Sequence, residues 1–260
     1  MDISIKDKRA LITGGSGGIG SAIAEVFAKA GAKVCVSYHS SADAADEIVK
    51  EIKAGGGEAF SAKADVAKRE EVEELFSKMD GIFGGVDILV NCAGIDGKRV
   101  LTWEIAPEEF EKVIMVNLMG TFHCSREALR RMVGQKSGVI LNVSSVHEVI
   151  PWTGHTAYTV AKAGMAMMTQ SISQEAAEHG VRILAISPGA IRTPINKDVW
   201  SDPEQMKDLN TKIPMNRIGE PDEVAKVALM MCSDWGSYMT GSSVFVDGGM
   251  INYPSFQKGG

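Results

Sequence analysis

Ala10-Leu11-Ile12-Thr13-Gly14-Gly15-Ser16-Gly17-Gly18-Ile19-Gly20 is the stretch that decides the fold. Its first three residues form an apolar run of the length expected of a buried strand. Behind the glycines, Ile19, Ile23, Val26, Phe27 and Ala30 recur at helical spacing until Gly31 closes the helix. A strand that turns through glycines into a helix gathers unpaired backbone N–H groups and the positive end of the helix dipole at one spot. With no Cβ atoms in the way, a phosphate approaches that spot closely. Alone, a glycine cluster is only a tight turn. Between a strand and a helix it predicts a dinucleotide site built on Thr13, Gly14, Ser16, Gly18, Ile19 and Gly20.

The rest of the chain repeats the strand–helix rhythm. Lys33-Val34-Cys35-Val36-Ser37-Tyr38 is the second strand, followed by His39-Ser40-Ser41. An acidic residue there would bond the ribose hydroxyls of NAD, and an arginine would bind the 2′-phosphate of NADP. This chain has neither, so His39 and Ser40 are the expected contacts and both cofactors stay open. A helix from Ala42 to Ala54 ends at Gly55-Gly56-Gly57, and a strand at 59–64 delivers Asp65-Val66 to its carboxyl end. The helix expected at 68–82 has a solvated charged side and an apolar one with Val72, Leu75, Phe76 and Met79. The next strand, 87–90, ends in Asn91-Cys92-Ala93-Gly94, small residues that let a flat ring lie against the backbone. Residues 107–133 read as one long helix, with Asn117 polar in its apolar stripe, either a satisfied core amide or a group shaping the helix near an active site.

Val139-Ile140-Leu141-Asn142-Val143 is a buried strand whose carboxyl end carries Ser145. Tyr158 and Lys162 are four apart, on one face of a helix. An ammonium beside a phenol favours phenolate, so the tyrosine pKa is expected to fall from about 10 toward working pH. Such a group takes or gives a proton on an alcohol or carbonyl oxygen, and Ser145 is placed to hold the same oxygen. The strand at 182–187 runs into Pro188-Gly189. Residues 193–212 read as a mobile substrate lid, Pro221 opens a helix, and Ser243-Val244-Phe245-Val246 is the final strand.

Seven strands alternating with helices predict an α/β fold. It is a Rossmann-type doubly wound seven-stranded parallel sheet with helices on both faces, in a single domain spanning 1–260. Ligands of such sheets sit outside the carboxyl ends of the strands. Thr13 to Gly20, Asp65, Asn91 to Gly94, Ser145 and Pro188-Gly189 all fall there.

The totals exclude other classes. In 260 residues with a net charge of −6, nothing favours nucleic acid or an anionic membrane as partner. Cys35, Cys92, Cys124 and Cys232 lack metal-site spacing and read as reduced buried thiols. His147, Glu148 and His155 fail as a metal set on spacing, so no metal is expected. The N-terminal residues lack the apolar core of a signal peptide, and no apolar run approaches a membrane span. The expected location is cytoplasmic.

Together, Thr13-Gly14-x-x-x-Gly18-x-Gly20, Asp65-Val66, Asn91-x-Ala93-Gly94, Asn117, Ser145, Tyr158-x-x-x-Lys162 and Pro188-Gly189 resemble the short-chain dehydrogenase/reductase family over the whole length. Cys92 departs from the asparagine more usual there. The resemblance implies NAD or NADP as cofactor, Tyr158 as general acid/base and Ser145 as the group stabilising the reacting oxygen. It implies that Lys162 lowers the tyrosine pKa and binds the nicotinamide ribose, and that Asn117 holds a proton-relay water. Ile191 and Thr193 would receive the carboxamide, and Asp65 the adenine.

Within the family, several stretches are similar to bacterial glucose 1-dehydrogenases. They are Ser144-Ser145-Val146-His147-Glu148-x-Ile150-Pro151-Trp152, Gly189-Ala190-Ile191-x-Thr193-Pro194-Ile195-Asn196, Asp202-Pro203-Glu204-Gln205 and the tail at 253–257. That likeness implies oxidation of β-D-glucose at C1 to the lactone, with Asp96, Ser145, His147, Tyr158 and Asn196 around the sugar. Asp96 is one methylene shorter than the glutamate of those enzymes, and the loop at 153–157 also departs. Another sugar or polyol, a ketone, a 3-oxoacyl thioester, or a non-catalytic dinucleotide-binding role are the alternatives. The likeness also implies a homotetramer, with the C-terminal tail (250–260) near a neighbouring subunit.

Overall fold

The computed structural model describes residues 3–252, so the tail resemblance at 253–257 lies outside the described residues. Seven parallel strands form one sheet: β1 (Arg9–Thr13), β2 (Lys33–Tyr38), β3 (Glu58–Lys63), β4 (Ile88–Asn91), β5 (Gly138–Val143), β6 (Val181–Pro188) and β7 (Ser243–Val246). Their order across the sheet is β3-β2-β1-β4-β5-β6-β7. The winding reverses between β1 and β4, where Thr13 pairs with Asn91. That reversal opens the crevice in which ligands of such sheets bind.

Alternate strand residues feed two separate cores, as the pleat requires. Ala10, Ile12, Val34, Val36, Ile88, Val90, Leu141 and Leu184 face one way. They pack on α1 (Gly18–Lys29), α2 (Ala42–Ala54) and, further along the chain, a helix at Pro221–Cys232. Leu11, Cys35, Leu89, Ile140 and Ile183 face the other way. Against them lie α3 (Arg69–Phe83) and helices at Gly120–Gln135 and Thr156–Ala176. With both faces covered, the central strands β1, β4, β5 and β6 carry near-continuous apolar runs.

The long helix expected at 107–133 is interrupted. It consists of α4 (Pro107–Ile114), a π turn at Met115–Met119 and α5 (Gly120–Gln135). A π turn carries an extra residue and widens the helix, a feature concentrated at functional sites. Asn117 sits in it, buried. Its Oδ1 accepts from the Ile95 N–H and its Nδ2 donates to the Ile95 carbonyl, each at 2.8 Å, while its own carbonyl takes the Thr121 hydroxyl. The amide therefore clamps the loop that follows β4 to the helix.

Next come α6 (Thr156–Ala176), carrying Tyr158 and Lys162, and the segment expected as a lid. The latter folds as a 3-10 turn (Pro194–Asn196), α7 (Lys197–Trp200) and α8 (Pro203–Thr211). Asp202 caps α8 by accepting from the N–H groups of Glu204 and Gln205. Among the described residues the last α-helix is α9 (Pro221–Cys232). Among the described residues no helix is long and apolar enough to cross a membrane.

Candidate active site

Thr13 closes the crevice at the switch point. Its Oγ1 accepts from the N–H groups of Cys92 (3.1 Å) and Ala93 (3.2 Å), fastening the end of β1 to the loop after β4. The turn that follows has no room for a side chain at two of its glycines. Gly14 has φ +63°, and a Cβ on it would lie 2.8 Å from the Ala93 Cα; a Cβ on Gly20 would run into the Gly14 carbonyl. Gly17, by contrast, faces open space. The turn thus presents bare backbone to a cavity of about 330 Å3 at the start of α1, a cradle that fits the phosphates of a dinucleotide.

Of the expected residues, Gly14, Ser16, Gly18, Ile19, Ala93, Gly94, Asp96, Tyr158, Lys162 and Thr193 share the wall of that cavity. His39 and Ser40 lie exposed past the end of β2, His39 being 3.9 Å from the Asp65 carboxylate. Pro188 ends β6, and the Gly189 N–H donates to Val246. Ile191 is buried in the core and bridges to Gly219. Val66 is buried against Gly120. The Asn91 amide is turned into the sheet, donating to Ser125 Oγ (3.0 Å) and Asn142 Oδ1 (2.9 Å).

Asn196 departs from the sugar contact expected of it. Its Oδ1 accepts from the N–H and the hydroxyl of Thr193, and its Nδ2 donates to the Ile191 carbonyl at 2.9 Å. The whole amide is engaged in capping the turn at Pro194–Asn196.

The pair Tyr158 and Lys162 also differs from expectation. Lys162 is buried and donates from Nζ to the Val143 carbonyl at 2.8 Å, with the charge 5.5 Å from the centre of the Tyr158 ring. Burial, not the ammonium, dominates both groups. It pushes the Tyr158 phenol up rather than down, and a hydrogen bond with Ser145 works the other way. Burial pulls Lys162 down to about 8, opposed by Cys92, Asp96 and Glu148. Burial also pushes the Asp96 carboxyl up, with His155 pulling against it, and holds His147 down.

Beside Tyr158 stands an aromatic stack that the sequence did not announce. The Trp152 indole is sandwiched between His147 (4.5 Å, 9°) and His155 (3.8 Å, 22°) and presents its edge to Tyr158 at 5.8 Å. Neither Trp152 nor His155 stood out as a site residue, because their spacing follows no helical or strand period. Ser144 was passed over as well. It is buried and on the cavity wall, and among the described residues its Oγ has no partner. An uncompensated buried hydroxyl is costly, and the neighbouring serine hid its importance. No group of three or more His, Cys, Asp or Glu among the described residues is placed to hold a metal ion.

The family profile described as Enoyl-(Acyl carrier protein) reductase matches residues 14–251. The chain is 43% identical to the 3beta-hydroxysteroid dehydrogenase 1 of Eggerthella lenta, over 98% of each chain. It is 42% identical to glucose 1-dehydrogenase 2 of Bacillus subtilis, over 95% of this chain and 96% of that one. Among solved structures, a 7 alpha-hydroxysteroid dehydrogenase complexed with NADH and 7-oxo glycochenodeoxycholic acid superposes with a TM-score of 0.91 at 34% identity, over 95% of each chain. A gluconate 5-dehydrogenase from Burkholderia cenocepacia in complex with NADP and tartrate also gives 0.91, at 28% identity, over 96% of this chain and 97% of that one.

Proposed function

The chain belongs to the short-chain dehydrogenase/reductase family, oxidoreductases that bind NAD or NADP, and from that membership we propose that it oxidises β-D-glucose at C1 to glucono-1,5-lactone. One observation carries the choice of a polyhydroxylated substrate: His147 and His155 stack on Trp152 next to Tyr158, and Asp96 lies on the cavity wall that Tyr158 also lines. Polar groups gathered beside Tyr158 suit a sugar, whose buried hydroxyls each need a partner.

A nicotinamide cofactor held along the cavity by the glycine turn and Lys162 would supply the acceptor for the C1 hydride. The protein does the remainder. Ser145 holds the C1 hydroxyl through its side chain and Tyr158 removes the proton. Burial opposes the phenolate this requires, so the Ser145 hydrogen bond and the positive charge below the ring are what favour it. Lys162 keeps most of its charge at pH 7, because about 8 still lies above that pH. Asn117 fixes the Ile95 backbone, and with it the start of the loop that carries Asp96.

A second reading has its own support. Ile195 lies on the cavity wall and is 62% exposed, an apolar residue at the mouth that suits a hydroxysteroid. Glucose carrying deuterium at C1 separates the two. The proposed reaction places one deuterium on the reduced cofactor; reduction without label transfer, or with a 3β-hydroxysteroid alone, would overturn the sugar assignment.

A further inference from the structure

We propose that His155 is a positioning residue that sets substrate specificity, locking Trp152 and the loop carrying Asp96 into one wall of the site. The proposal rests on the reading that substrate is handled beside Tyr158. His155 immediately precedes α6, the helix that bears Tyr158 and Lys162, and is buried. One face of its ring stacks on Trp152 at 3.8 Å, while its Nδ1 is 3.4 Å from the Asp96 carbonyl oxygen. Its backbone is fixed as well: its N–H donates to the Trp152 carbonyl, and its own carbonyl receives the N–H and hydroxyl of Thr159.

Two further ties join the same loops. The Val100 N–H donates to the Gly154 carbonyl at 2.9 Å, and the hydroxyls of Thr102 and Thr156 are 2.7 Å apart. The loop after β4 and the loop before α6 are therefore fastened at three points, and His155 is the one that also touches the aromatic stack. Trp152 in turn is edge-on to Tyr158, so a shift of the His155 ring moves the indole relative to the reacting group. A substrate held at Tyr158, with a hydroxyl toward Asp96, would be read by the spacing between the edge of the stack and the Asp96 loop, which His155 holds together.

The test compares His155→Ala with His155→Phe, which keeps a ring face for Trp152. With the sugar or alcohol that the wild type oxidises best, alanine is expected to raise the substrate KM about tenfold. The cofactor KM should stay within about twofold and kcat within about threefold. The preference for glucose over galactose should shrink, and phenylalanine should restore most of both losses. Unchanged substrate KM in the alanine variant, or a phenylalanine variant no better than alanine with an unaltered thermal midpoint, overturns the proposal. So does a cofactor KM that rises in parallel.

A substrate-free reading keeps the two proposals apart. The fluorescence that Trp152→Phe removes from the wild type is the stacked component, and His155→Ala should alter it. No turnover on any substrate together with altered emission would support the wall and overturn the proposed function. Unchanged emission would overturn the wall.

Discussion

The Lys162 ammonium hangs from the Val143 carbonyl at 2.8 Å, and not from the Tyr158 hydroxyl. Its charge is thus tied to the end of β5, and it acts on the phenol from below the ring, 5.5 Å from the centre. The lysine is held where burial works against it, a cost that a merely structural residue would not justify.

That cost is measurable as a pH dependence. The folded pKa of Lys162 falls from the usual 10.5 to about 8, so between those values the unfolded chain binds more protons than the folded one. Stability contributed by this group therefore rises with pH across that window and is flat below it. Urea unfolding at pH 7 and pH 9.5 should show the wild type gaining on the order of 1–2 kcal/mol relative to Lys162→Met. An equal change in both proteins would contradict the burial argument.

Tyr158→Phe removes one oxygen and leaves the ring against Trp152. We expect the rate of alcohol oxidation to fall about 100-fold to 10,000-fold. Affinity for the reduced cofactor, read by fluorescence titration, should stay within about threefold. Retained turnover would sink the proton-transfer role.

Thr13→Val tests the fastening of β1 to the loop after β4. The hydroxyl that accepts from Cys92 and Ala93 would be lost, leaving two N–H groups unpaired. The expected cost is about 1–3 kcal/mol in denaturant unfolding, accompanied by weaker cofactor binding because Ala93 lines the cavity.

His39 follows β2, exposed and 3.9 Å from the Asp65 carboxylate, and we propose that cofactor choice is made there. Replacing it with arginine offers a planar fork to a 2′-phosphate. The ratio of kcat/KM for NADP over NAD should rise about tenfold or more, the value of one charge-assisted hydrogen bond. His39→Asp should move the ratio the other way. No movement with either variant would place cofactor discrimination elsewhere.

Most of the fold was legible because the central strands β1, β4, β5 and β6 carry apolar runs that end in small or polar residues at the same edge of the sheet. β2, α2 and β7 fall on the residues their patterns predict. What was not legible depends on contacts between distant segments. The π turn around Asn117 has no sequence period of its own and is coupled to bonds with Ile95, 22 residues away. The His147–Trp152–His155 stack needs the loop before α6 to fold back on itself. The pKa of Tyr158 was misjudged for the same reason: spacing revealed the neighbouring charge but not how deeply both groups are enclosed. Asn196 looked available as a sequence letter and proved to be a cap.

The most direct measurement is the initial rate of NAD and of NADP reduction by the purified protein, with β-D-glucose and with a 3β-hydroxysteroid side by side. The account predicts glucose-dependent reduction of at least one of the two cofactors, with glucono-1,5-lactone as product and little turnover of the steroid. Turnover of the steroid with none of glucose would contradict it. The apolar mouth around Ile195, and not the polar groups around Trp152, would then be the feature that selects the substrate.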